Sequence, residues 1–193
     1  MIVGLQITKN VEKYKKLVSL LDEKLFKDVS FIHISNYKSL KKNIKDLDVL
    51  VCYGITPDIF SYRSDKLKWV HIGAVGVEDN LFDEIIRSKV LLTNAKGINS
   101  KPVAEFIISQ IMYFSKRFKE CQEFKDNKHW NQWILAKKTT QLSDSTLGII
   151  GYGAIGKELS RLAKSFRMRV LATRRLQKTI EKKKSVDSLV PMN

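Results

Sequence analysis

An α/β chain built on parallel sheets is the fold class this sequence predicts, and two observations predict it. Over the first hundred or so residues, five short β-type apolar runs alternate with helical or irregular segments. Strands spaced by helices belong in a parallel sheet covered on both faces. Near residue 150 another apolar run leads straight into Gly151-Tyr152-Gly153-Ala154-Ile155-Gly156, then an amphipathic helical pattern, then a further apolar run. The order there is strand, glycine loop, helix, strand.

Taken in order, the five runs are residues 1–7, 29–34, 48–53, 68–72 and 90–93. Between the first two, apolar residues at 11, 14, 17, 18, 21 and 25 recur at helical spacing. Between the last two, Leu81, Ile85 and Ile86 fit a short helix. Ligands of open α/β sheets bind beyond the carboxyl ends of the strands. Two loops fall at such ends, Cys52-Tyr53-Gly54-Ile55 and Gly73-Ala74-Val75-Gly76-Val77, which makes Tyr53 and Gly54 candidate substrate contacts. Asn99-Ser100-Lys101-Pro102 then reads as a helix start, a capping polar residue followed by proline in the first turn. Apolar positions 103, 106, 107, 111, 114 and 118 carry that helix forward. Residues 121–145 are polar, with Phe124, Trp130 and Trp133 as aromatic anchors on the approach to the next strand. No internal repeat is present.

Each glycine of the motif has a physical task. Gly151 permits the tight turn off the strand, and Gly153 lets backbone approach a pyrophosphate where a Cβ would collide. Gly156 lets the helix pack closely on the strand. The amides of Ala154 and Ile155 then lie at a helix N-terminus, where unpaired N–H groups and the positive dipole end favour phosphate. Apolar residues at 155, 159, 162, 163 and 166 supply one face for the sheet. The alternative is a glycine-rich turn with no ligand; the strand before and the helix and strand after favour a dinucleotide loop.

The second strand of this segment, residues 168–172, ends in Thr173-Arg174-Arg175. A site that prefers NAD places Asp or Glu about there, to accept from the ribose hydroxyls. Between Glu158 and Glu181 no carboxylate occurs. A guanidinium pairs bidentately with a 2′-phosphate or stacks on adenine, and Thr173 has a hydroxyl to donate. NADP is therefore the expected cofactor ahead of NAD. The competing reading is that Arg174 and Arg175 are solvated charges in a basic chain.

Bulk properties narrow the function classes. The chain has 193 residues, 44% hydrophobic, enough for one domain plus part of another. Cys52 and Cys121 stand far apart without companion ligands, so neither a metal site nor a disulfide framework is expected. No run of eighteen apolar residues and no signal pattern occurs, and a cytoplasmic protein without membrane partners is expected. The net charge is +15, but residues 157–184 alone hold eleven Lys or Arg against two Glu, a net +9. No aromatic residues interleave with that run as a stacking platform, so nucleic acid is not the expected partner.

The order of four separated motifs resembles the D-isomer-specific 2-hydroxyacid dehydrogenases. They are Leu67-Lys68-Trp69-Val70-His71-Ile72 with Ala74-Val75-Gly76-Val77-Glu78; Leu92-Thr93-Asn94-Ala95-Lys96-Gly97; Pro102-Val103-Ala104-Glu105; and the glycine motif. The match runs from about Asp48 to Asn193. The resemblance implies a flavodoxin-like substrate domain over residues 1–97. It implies the crossing helix and first half of a Rossmann dinucleotide-binding domain over residues 98–193. It further implies that Val75 and Gly76 offer backbone N–H groups to the carboxylate of a small 2-oxo or 2-hydroxy acid, and that the helix around Val103 runs beside the nicotinamide. Glu78 stands where the family has aspartate most often.

The arginine, glutamate and histidine that perform the family's chemistry come from a later part of the dinucleotide domain, beyond Asn193. No catalytic residue is therefore assigned on this chain, and His33, His71 and His129 are expected to be structural or surface groups. Two strands and one helix would leave a sheet edge unpaired, so residues 140–193 are expected to be marginally stable alone. A second copy, or a chain carrying the missing half, is the expected partner. The leading reading is an NAD(P)-dependent 2-hydroxyacid dehydrogenase, truncated within its dinucleotide domain and inactive as this fragment alone. The alternative is a non-catalytic dinucleotide-binding or interaction protein derived from that family.

Overall fold

The structure, a computed structural model, describes residues 1–21 and 23–192. It divides into two units, Met1–Lys96 and the residues from Gly97 onward.

The first unit runs β1 (Ile2–Gln6), α1 (Val11–Val18), β2 (Ser30–His33), α2 (Tyr37–Asn43), β3 (Val49–Cys52), α3 (Pro57–Ser61), β4 (Trp69–Ile72), α4 (Asp83–Ile86) and β5 (Leu91–Asn94). All five strands are parallel, in the order β2-β1-β3-β4-β5. That is the flavodoxin-like winding, which reverses between β1 and β3. Alternation along the strands decides the two faces. Leu50, Cys52, Val70 and Ile72 face one way and pack with Leu40 of α2 and Ile59 and Phe60 of α3. Val3, Leu5 and Val49 face the other way, against Tyr14 and Val18 of α1. The register is pinned at the amino ends by Asp48, whose Oδ2 accepts from the Ile2 amide at 2.6 Å. The Asp48 carbonyl accepts from the Lys68 amide at 2.8 Å, so one residue aligns β1, β3 and β4.

Helix α1 is shorter than the apolar spacing through residue 25 predicts. It ends at Val18, where the Ser19 hydroxyl donates back to the Lys16 carbonyl at 2.9 Å. Leu25, which fits the periodicity, stays exposed, as does Leu20 outside it.

The second unit runs α5 (Ser100–Ser115), α6 (Phe118–Asp126), α7 (Gln132–Lys138), β6 (Thr146–Ile150), α8 (Ala154–Ser165), β7 (Arg169–Arg174), β8 (Glu181–Lys183) and β9 (Val186–Pro191). Ala104 and Ile108 of α5 share one core with Leu159 and Ala163 of α8 and with Ile149, Val170 and Ala172 of the sheet. The apolar pattern from 103 to 118 spans two helices, because Arg117 takes a left-handed conformation (φ 56°) and breaks the run before Phe118. Residues 121–145 are largely helical, and Trp130 and Trp133 lie exposed, not anchored in a core.

The sheet is also larger than the two expected strands. Its order is β6-β7-β9-β8, with β9 parallel to β7 and β8 antiparallel to β9. The outer edge of β7 is thus paired with β9, while β6 pairs with β7 alone among the described residues. Val186 and Leu189 of β9 are fully buried, whereas β8 is Glu-Lys-Lys and lies on the rim, where charge suits an edge strand. The basic run hid this hairpin in the sequence.

Asp187 of β9 organises this sheet as Asp48 does the first. Its Oδ2 accepts from the Val170 amide at 2.7 Å and pairs with the Lys164 ammonium of α8. The Lys164 hydrogen bond, then that of Val170, holds the Asp187 carboxyl below its usual range. A depressed folded-state pKa means stability present above the unfolded value near 3.8 and lost as pH falls through the folded value. Asp187→Asn is therefore expected to lower stability at neutral pH and to flatten its decline below about pH 4. Urea unfolding of both proteins across pH 3–7 checks this; parallel pH curves would show that Asp187 carries no such linkage.

Candidate functional site

In the second unit the glycine loop hangs from the carboxyl end of β7. The Thr173 carbonyl accepts from the amides of Gly151, at 3.2 Å, and Tyr152, at 2.7 Å. Thr173 Oγ1 accepts from the same Gly151 amide at 3.4 Å, leaving its own proton free to donate. Gly151 has φ +98°, a left-handed conformation that glycine adopts without strain. Gly156 is required for close approach: a Cβ there would lie 2.6 Å from the Gly151 carbonyl oxygen and 3.2 Å from Ile149 Cγ2. Around Gly153 the surroundings are open, with nothing within 4 Å of an added Cβ. The first helical bond of α8 runs from the Lys157 amide to the Gly153 carbonyl. The amides of Ala154 and Ile155 precede it and have no acceptor among the described residues. An open space, two unpaired N–H groups and the dipole of α8 fit a phosphate group, so the residues present suit a dinucleotide.

The other expected cofactor contacts fall around this loop in different ways. Arg174 ends β7, its carbonyl accepting from the Gln177 amide at 3.0 Å, and Arg175 follows it; both are exposed, and their guanidinium groups make no hydrogen bond or salt bridge among the described residues. Val103 stands in the first turns of α5, beside buried Ala104. The Tyr152 side chain turns into the core, where its hydroxyl lies 3.2 Å from Ser185 Oγ, so only its backbone remains at the loop. Ser160 of α8 donates to the same Ser185 oxygen at 2.9 Å. These two serines fasten the glycine loop and its helix to the β8–β9 turn. Sequence reasoning missed them, since isolated serines carry no periodic signal.

In the first unit, the two loops expected to meet a substrate lie at the carboxyl ends of β3 and β4. They touch: the Tyr53 ring is 3.2 Å from where a Cβ on Gly73 would stand. Buried Asn80 ties them further, its Oδ1 accepting from the Ile55 amide at 2.8 Å while its own amide donates to the Val77 carbonyl. Asn94 of β5 donates to the Val75 carbonyl at 2.5 Å. The amides of Val75 and Gly76 have no acceptor among the described residues, and Glu78 Oε2 lies 2.9 Å from a Cβ built on Gly76. A loop held by its carbonyls, with two N–H groups left over, is an anion-binding arrangement. Asn80 was not picked out from the sequence, where Glu78-Asp79-Asn80 reads only as a polar turn.

The remaining chemically interesting side chains have structural partners. His33 Nε2 lies 2.7 Å from the Thr8 carbonyl and its ring stacks on Tyr14. His71 Nδ1 lies 2.9 Å from Thr93 Oγ1, and His129 meets Phe124 edge to face. Burial pushes the Cys52 thiol up to about 11, which leaves it protonated and unreactive at neutral pH. Among the described residues no His, Cys, Asp and Glu cluster suits a metal ion, and no helix is long and apolar enough to cross a membrane.

Comparison with known proteins agrees with this architecture. The family model described as D-isomer specific 2-hydroxyacid dehydrogenase, NAD binding domain, matches residues 108–192. A glyoxylate reductase of Thermofilum pendens is 26% identical over 161 residues, covering 80% of this chain and 45% of the relative. The chain thus spans about half the length of the curated relatives it matches. Among solved structures, a D-isomer specific 2-hydroxyacid dehydrogenase family protein of Aeromonas salmonicida superposes with a TM-score of 0.75 at 20% identity, covering 99% of this chain and 58% of its own. A D-lactate dehydrogenase with NAD+ from Lactobacillus jensenii gives a TM-score of 0.74 at 20% identity, covering 100% and 58%. Through residues 108–192, the stretch that holds the glycine loop and its sheet, the chain is similar to the NAD binding domain of the D-isomer specific 2-hydroxyacid dehydrogenases.

Proposed function

We propose that this chain is the substrate-loop and phosphate-loop portion of a nicotinamide-dependent oxidoreductase acting on a small 2-oxo or 2-hydroxy acid. The observation that carries the proposal is the pair of unpaired amides, Ala154 and Ile155, beside the open space at Gly153. Bound there, a nicotinamide dinucleotide supplies the hydride. The chain's own residues bind and orient. Ala154 and Ile155 hold a phosphate, Thr173 donates to the adenosine ribose region, and Val103 of α5 borders the nicotinamide end. In the first unit Val75 and Gly76 hold the acid's carboxylate on their N–H groups, and Tyr53 and Gly54 line the same loop cluster. The proton donor, its glutamate and the carboxylate-clamping arginine are not among the 193 residues in this reading.

NADP is the cofactor this reading favours over NAD. The guanidinium groups of Arg174, the last residue of β7, and of Arg175 are exposed and make no salt bridge among the described residues, where a ribose-binding carboxylate would otherwise stand. Two copies of the chain are the proposed assembly. Phe106, Phe114, Phe118, Trp130 and Trp133 are 50–81% exposed along α5, α6, the approach to α7 and α7 itself, large apolar side chains of the kind that an interface between copies would cover.

Three measurements test these statements. Calorimetric titration with 2′,5′-ADP and 5′-AMP is expected to show the former binding about 10-fold tighter; Arg174→Ala with Arg175→Ala removes the difference, and equal affinities in the wild-type chain would return the cofactor to NAD. A Cβ added at Gly153 has no protein atom within 4 Å, so Gly153→Val is expected to keep the thermal midpoint within a few degrees while abolishing nucleotide binding. Retained binding would place the phosphate elsewhere. Sedimentation equilibrium should find a dimer that Trp133→Ser weakens; a monomer at all concentrations would sink the proposed pairing.

A further inference from the structure

A cleft of about 360 Å³ opens at the carboxyl ends of β1, β2 and β3, which is the point where the winding of the first sheet reverses. Ligands of doubly wound sheets collect at that switch point. Its volume lies at the lower end of the range for small-molecule sites. The apolar part of its lining comes from Ile7 and Ile34 with the rings of Tyr37 and Tyr53. Lys9 is the one charged residue among those that line it, and no carboxylate does. The Lys9 ammonium, the Gln6 amide and both tyrosine hydroxyls make no hydrogen bond among the described residues. The Lys9 ammonium, a donor only, is thus left without an acceptor among the described residues, with an amide and two hydroxyls beside it that can also donate.

Tyr53 and Gly54 belong both to this cleft and to the loop that touches Gly73. One wall is therefore shared between the cleft and the loop bearing the Val75 and Gly76 amides. Neighbouring strands are about 4.8 Å apart, so the end of β1 lies roughly 10 Å from that of β4 across β3. A chain of several methylenes, met by the long stem of Lys9, covers such a distance.

Resting on the reading of Val75 and Gly76 as the carboxylate site, we propose that this cleft receives the side chain of the substrate. Its chemistry selects a 2-oxo acid with an apolar methylene body and a second carboxylate at the far end, paired with Lys9. Lys9 is then a specificity-determining residue, and Tyr53 is the wall that turns the side chain from one loop toward the other.

The test uses the full 193-residue chain and amide-resolved NMR titrations with three probes: oxamate, 2-oxohexanoate and 2-oxoadipate. Oxamate, which has the head group alone, is expected to shift Val75 and Gly76 only. The two longer acids should also shift residues 6–9 and 34–37, with 2-oxoadipate binding 5- to 10-fold tighter than its uncharged-tail counterpart. Lys9→Gln should erase that preference and leave oxamate binding unchanged. If the longer acids shift Val75 and Gly76 but leave residues 6–9 and 34–37 untouched, the side-chain pocket is overturned and the carboxylate loop stands. Equal affinities for the two longer acids overturn the role of Lys9. If oxamate leaves Val75 and Gly76 unmoved at saturating concentration, the carboxylate loop itself fails, and shifts confined to the cleft would then make it a site unrelated to substrate.

Discussion

Parallel strand pairing is the constraint on which the rest of this chain depends. Parallel neighbours cannot be joined by a hairpin, so each connection must leave one end of the sheet and return to the other. Every loop at a carboxyl end therefore gathers on the same edge. In the first unit this is why the loops after β3 and β4 lie against each other, Tyr53 on Gly73, with Asn80 bonded into both. In the second it is why the Thr173 carbonyl, at the end of β7, is available to the amides of the glycine loop after β6. The opposite edges carry the register, set in each unit by an aspartate that accepts from a neighbouring strand's first amides. Asp48 does this for Ile2, and Asp187 for Val170.

Both candidate loops reach anion-binding chemistry by the same route. Their carbonyls are consumed by neighbours: Val75 by Asn94, Ala74 by Ala95, Gly153 by Lys157. The amides of Val75, Gly76, Ala154 and Ile155 are left over. Backbone amides held this way do not reorganise when charge arrives, which is what makes such sites effective. Side-chain cations are secondary here. They stand at the periphery, with Arg174 at the end of β7, Arg175 after it and Lys9 at the switch-point cleft.

Several features could be read without coordinates because their causes are local. The five strands of the first unit, the glycine loop, the helix after it and the α5 start all follow from period, turn chemistry and sterics acting within about ten residues. The tasks of Gly151 and Gly156 were legible for the same reason, and the structure gives one a φ of +98° and the other a carbonyl 2.6 Å from any added Cβ. The resemblance that links these segments to 2-hydroxyacid dehydrogenases is likewise a matter of motif order along the chain.

Tertiary structure decided what depends on partners distant in sequence. Periodicity carried α1 to residue 25 and ran α5 through 118, but packing and the left-handed Arg117 ended both helices earlier. The β8–β9 hairpin was hidden because its burial rests on two residues, Val186 and Leu189, next to a lysine run that reads as solvated surface. Trp130 and Trp133 look like anchors by composition and are exposed, since hydrophobicity alone does not say what covers a side chain. Asn80 and Ser185 became visible only once loops 25 and 33 residues apart were brought to hydrogen-bond distance. The sequence by itself determined the five strands of the first unit and the turn geometry of the glycine loop, because those arise from neighbours along the chain; the fold decided the helix ends, the β8–β9 hairpin and which leftover donors face which space, because those arise from neighbours across it.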